Sequence, residues 1–166
     1  VNYFYQLLIG LLSGSFAAWL TTHLALRRFY NEKWWEKRAS AFIEITDAIY
    51  QIKIEYEYYC DRREFYREPN AFPSFEKLDE ERLAQMKGAS SKAMGIVTKY
   101  SQVGPLLITK EVSKLLNDYL AELRKITNDV FFRDWDDEEA ENYQLEITSK
   151  LLKDLVEVSR KELKSN

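Results

Sequence analysis

Between residues 3 and 26 no side chain is charged, whereas from residue 27 onward charged and apolar positions interleave at helical spacing. At about 1.5 Å of rise per residue, the uncharged stretch predicts a helix of roughly 36 Å, long enough to cross a hydrocarbon layer about 30 Å thick. Gln6, Ser13, Ser15, Thr21, Thr22 and His23 interrupt it. Hydroxyls can bond back to their own helix, and the other polar residues fall near its ends. A buried helix of a soluble protein has the same composition and stays open as an alternative.

No glycine or proline follows until residue 69 is reached, and Trp35, Phe42, Ile45, Ile49, Ile52, Tyr56 and Tyr59 recur mostly at steps of three and four. That spacing continues the first helix directly into an amphipathic helix over residues 29–67, a long rod suited to passing on rotation or tilt. Pro69 and Pro73 end it, because the residue before a proline is driven out of helical backbone. A second helix is expected over 75–103, with Leu78, Leu83, Met86, Ala93, Val97 and Tyr100 inward and Gly104-Pro105 as its stop; Gly88 and Gly95 mark a kink or a close helix contact. Thr109 caps a third helix over 109–132 through Val112, Leu116, Tyr119, Leu123, Ile126 and Val130. Asp136 with Glu139 has capping-box spacing for a fourth over 137–163, with Tyr143, Ile147, Leu151, Leu155 and Val158 on one face. The fold class read from this pattern is all-α: one N-terminal transmembrane helix continuing into an antiparallel four-helix bundle. A dimeric assembly in which the third and fourth helices pack on a partner has the same signature.

Within the uncharged stretch Gly10, Gly14, Ala17 or Ala18, and Thr21 share one face. Such a smooth strip lets two membrane helices approach closely. Arg27, Arg28, Lys33, Lys37 and Arg38 crowd its lower end and none precedes it. By the positive-inside pattern the N-terminus then lies outside and the C-terminus in the cytoplasm, with Arg27, Arg28, Trp34 and Trp35 anchoring the inner interface. Cleavage as a secretory signal is not expected, since a basic leader and a small-residue site are both missing. His23, the single histidine, reads as an interfacial side chain rather than a proton relay, for want of an acidic partner in the span.

Glycine and proline are scarce, in keeping with long helices. The net charge of −3 hides an asymmetry: residues 1–38 carry five cations and two carboxylates, leaving −6 for the remainder. An acidic body makes nucleic acid an unsuitable partner. One cysteine, Cys60, allows no intramolecular disulfide and fits a reducing compartment. Charged, tyrosine-rich surroundings of this kind can lower a thiol pKa, but nothing nearby completes a catalytic arrangement, and Cys60 reads as a free surface or semi-buried thiol. With no histidine beyond His23, neither a di-metal carboxylate bundle nor a zinc hydrolase site is built in its familiar form. No phosphate loop or dinucleotide fingerprint occurs. The acidic run of residues 134–139 lacks EF-hand spacing and reads as a helix start. Aromatic residues concentrate at Tyr56, Tyr58, Tyr59, Phe65, Tyr66, Phe72 and Phe75, where they are expected to pack the far end of the bundle.

The juxtamembrane string Phe29-Tyr-Asn-Glu-Lys-Trp-Trp-Glu-Lys-Arg38, running into residues 39–50, resembles the corresponding stretch of uncharacterised bacterial single-pass membrane proteins, most strongly over about residues 27–60. The resemblance implies a bacterial inner-membrane setting and no chemistry. The resulting expectation is a non-enzymatic protein without cofactor or metal. Its partners would be the lipid bilayer, further copies of itself and another protein, in the role of a membrane-acting effector of stress or phage defence. A signal-relay or regulatory subunit of a membrane complex is the alternative.

Overall fold

The computed structural model describes residues 2–133 and 136–164, which form four helices with no strand among them: α1 Asn2–Arg67, α2 Glu80–Leu107, α3 Lys110–Arg133 and α4 Asp137–Lys164. The chain divides into two compact units, Val1–Arg38 and Ala39–Asn166, and α1 is helical through the boundary. The first unit is a single helix with every described side chain from residue 3 to 37 exposed. A lone helix has no neighbour to bury its apolar surface against.

The second unit is a helical bundle with one apolar core. Its centre is Phe42, Ile45, Ile49 and Ile52 of α1, Ala93, Val97 and Tyr100 of α2, Val112, Leu116 and Tyr119 of α3, and Leu151, Leu155 and Val158 of α4. These are the residues the three-and-four spacing picks out. Trp35, the first of the pattern on α1, is 43 % exposed and outside the core, and Tyr59, Leu83, Met86, Val130 and Tyr143, also placed inward by the spacing, are only partly buried, as is Leu78, which precedes α2. Hydrogen bonds cross the seams head to tail. Glu44, near the start of the bundle part of α1, accepts from Tyr100 and Lys99 late in α2, and Arg63 and Arg67 late in α1 reach Glu141 and Glu138 early in α4. In the core, Thr148 donates to Gln144 O at 2.6 Å and Tyr119 donates in turn to Thr148 at 2.9 Å, so both of these hydroxyl hydrogens are used.

Two expected boundaries of the second helix are corrected. It starts at Glu80 rather than residue 75, because Asp79 caps it, accepting from Arg82 N at 2.8 Å. Phe75 is instead held in the connecting segment, with its ring centroid 5.0 Å from Phe65 and 5.7 Å from Tyr58. Nor does Gly104-Pro105 stop the helix, which runs on to Leu107. Proline leaves the carbonyl four residues back without its usual donor, here that of Ser101. Two side chains of α3 replace it: Ser113 Oγ donates at 2.9 Å and Asn117 Nδ2 at 3.0 Å. With that acceptor satisfied, the helix ends only where Ile108 turns back and Thr109 caps α3, its hydroxyl accepting from Val112 N.

The close contact expected at Gly88 or Gly95 is also elsewhere. A Cβ at either would meet nothing within 4 Å, whereas one at Gly104 would lie 2.9 Å from Ile108 Cδ1 and 3.2 Å from Ser113 Cβ. Opposite effects follow from the same substitution. Gly95→Ala should stabilise the bundle by about 0.5–1 kcal/mol through helix propensity, and Gly104→Ala should destabilise it by about 1–3 kcal/mol through overpacking. Urea denaturation of the two variants, followed by circular dichroism, checks both signs.

Candidate functional site

In the first unit the residues singled out by sequence lie on an isolated surface. Gly10 and Gly14 have open space where a Cβ would stand. Thr21 Oγ1 donates to Ala17 O at 2.8 Å and Ser13 Oγ to Gly10 O at 3.1 Å, so these hydroxyls are satisfied by their own helix and present little polarity outward. At about 100° per residue, Gly10, Gly14, Ala17, Ala18 and Thr21 fall within one arc, with Phe16, Trp19 and His23 across the helix from it. The aromatic side is itself ordered: Trp19 stacks on His23 with centroids 5.6 Å apart and on the other side approaches Phe16 at 6.1 Å.

At the lower end Arg28 pairs with Glu32 at 2.9 Å and Lys33 with Glu36 at 2.7 Å, all on the helix surface. Both carboxylates of the segment are thus engaged, and the cationic excess of three remains. Trp34 and Trp35 are 55 % and 43 % exposed, rings available for a headgroup layer. Lys33 also lies 6.0 Å from the Phe29 ring centroid.

The second unit holds a polar cluster that spacing alone did not reveal, at the seam of α1 with α4. Arg63 bridges Glu141 and Asn142, Arg67 pairs with Glu138 and Glu64, and Cys60 Sγ lies 3.5 Å from Asn142 Oδ1. The signal was available as arginines four apart on one helix facing carboxylates three apart on another. Cys60 is buried, at 8 % exposed. Burial pushes its thiol pKa up, and the neighbouring Arg63 does not reverse this. Among the described residues no group of three or more His, Cys, Asp or Glu side chains is placed to hold a metal ion. Of the acidic run, Asp134 and Trp135 lie outside the described residues, and Asp136 caps α4, accepting from Glu138 N at 3.0 Å.

No protein-family model, curated protein or solved structure matches the chain.

A buried, protonated thiol is a slow nucleophile. Alkylation of Cys60 in the folded protein should lag behind a small-molecule thiol at pH 8, with a rate midpoint above the ordinary thiol value of about 8.5. A pH profile of iodoacetamide labelling tests this, and a midpoint at or below that value would give Arg63 the dominant influence.

Proposed function

We propose that the chain is a non-enzymatic single-pass protein of a bacterial inner membrane, with its cytoplasmic part an antiparallel four-helix bundle that serves as a protein-interaction module. The observation that carries this reading is the complete exposure of the apolar window in residues 3–26, of which no part is buried. A core helix of a soluble protein would be covered by its own chain. Here Phe16 and Trp19 are 62 % and 61 % exposed, and Leu7, Leu11 and Leu12 more than half exposed. Exposed apolar area costs about 25 cal/mol per Å² in water, and a bilayer removes that cost along the whole window. The +3 segment immediately after the window supports a cytoplasmic Ala39 side, and the resemblance over residues 27–60 supports the bacterial setting.

Self-association through Gly10, Gly14, Ala17, Ala18 and Thr21 is the second part of the proposal. It is supported by the smooth, hydroxyl-satisfied face and by the absence of any side chain over either glycine. The uninterrupted helical assignment of α1 favours signal relay as the alternative role.

Two measurements test the reading. The full-length protein should stay with membranes through alkaline extraction, and a reporter fused after the last residue should be cytoplasmic; a freely soluble chain or an external reporter would refute membrane placement or orientation. Cross-linking in intact membranes should give dimers or larger species that Gly14→Leu diminishes. Since a Cβ at Gly14 touches nothing in its own chain, that loss would report on a neighbouring copy, and monomers under every condition would rule self-association out.

A further inference from the structure

The bundle is acidic, with a net charge of −6 beyond residue 38, yet one of its grooves has no carboxylate in its lining. This groove, about 480 Å³ in volume, runs along α2 and α3 and is lined by Tyr56 of α1, Met94 of α2, and Asn117, Leu120, Leu123 and Arg124 of α3, among others. Its size is that of small-molecule sites, which combine an apolar wall with a few polar groups.

The polar groups are matched to an anion. Arg63, Arg67 and Arg82 of the same bundle each have a carboxylate partner. Arg124 does not. Its Nε donates to Leu120 O at 3.2 Å within its own helix, and its two terminal nitrogens have no partner among the described residues. Anchoring Nε in this way holds the guanidinium at the groove while leaving the pair of donors that suits a carboxylate or phosphate. The Tyr56 hydroxyl likewise has no hydrogen-bond partner among the described residues. Burial pushes its pKa up to about 12, so it remains a neutral donor at physiological pH. Met94, Leu120 and Leu123 contribute apolar carbon that suits hydrocarbon, and Thr98, Ser101, Gln102, Asn117, Thr127 and Gln144 supply the rest of the lining as uncharged polar groups.

We propose that this groove binds a small amphiphilic anion, a carboxylate or phosphate monoester on a short hydrocarbon body, with the acid group on Arg124 and the hydrocarbon against Met94, Leu120 and Leu123. The proposal stands independently of membrane placement, since every residue it uses lies in the second unit.

The chain has two methionines, and only Met94 lines the groove, which gives the test an internal control. Full-length protein carrying ¹³C-methyl methionine, in nanodiscs of neutral phosphatidylcholine, is titrated with octanoate, octyl phosphate or octan-1-ol. With at least one of the two anions the Met94 methyl resonance should shift saturably while Met86 stays in place; the tighter anion identifies the preferred acid group. Octanol should bind more weakly, and Arg124→Gln should weaken anion binding on the order of tenfold. Arg124 is exposed, so an unchanged Met86 signal in the variant also certifies its fold. No saturable shift at Met94 with either anion, equal movement of both methionines, octanol binding as tightly as the anions, or undiminished anion binding by Arg124→Gln would each overturn the proposal.

Discussion

Apolar surface has to be removed from water, and the two parts of α1 stand in opposite positions toward that requirement. Over residues 41–52 its apolar positions repeat at three and four and are covered by α2, α3 and α4, with Ile45, Ile49 and Ile52 at 0 % exposure. Over residues 3–26 apolar side chains point in every direction and nothing in the chain covers them. A helix apolar all round needs an apolar environment all round. The amphipathic part, by contrast, needs only one wet face, which Asp47, Tyr50 and Gln51 form. The proposed bilayer supplies the environment the first part lacks, and the bundle's own core supplies it to the second.

Within the bundle, the α2–α3 corner shows how a local rule is overridden by a tertiary partner. Glycine followed by proline ordinarily ends a helix, since proline cannot donate and the chain escapes through glycine. Here the glycine is needed for space, with Ile108 and Ser113 occupying the room a Cβ would need. The proline's missing donor is replaced by Ser113 and Asn117, sixteen residues or fewer along the chain from the carbonyl they serve. The corner is therefore tight because α3 satisfies the carbonyl that proline leaves open.

The difference between what could and could not be read beforehand follows from this. Core positions were legible because burial imposes a period on each helix separately: Val97, Tyr100, Leu116, Ile126, Leu151 and Leu155 are all buried where their spacing puts them. Helix ends were legible where a local cap decides them, as at Thr109 and Asp136, and illegible where a distant side chain does, as at Pro105. Phe75 was misassigned to a helix because its apolar character fits a helical face equally well; only the position of Phe65 and Tyr58 in space makes it a loop residue. On the exposed apolar window of α1 the small residues and the flanking cations could be read directly. The α1–α4 polar seam showed only as spaced arginines and spaced carboxylates whose pairing the fold decides, and the Arg124 groove did not show, because residues of all four helices line it.

That seam also separates what holds the bundle together from what tells its helices apart. Arg67 is about half exposed, and its pair with Glu138 is a solvent-screened surface ion pair that contributes little. Arg63 is more enclosed, but with a Nε that finds no partner it gains part of its stabilisation at a desolvation cost. Neither rivals the apolar contacts of Ile49, Leu116 and Leu155, each of which contributes about 1.5–3 kcal/mol on full burial. Yet an apolar core of aliphatic side chains tolerates more than one arrangement of helices, whereas two arginines one turn apart fit two carboxylates one turn apart in a single register. The core thus supplies the stability, and the Arg63 and Arg67 pairs fix which end of α1 meets which end of α4.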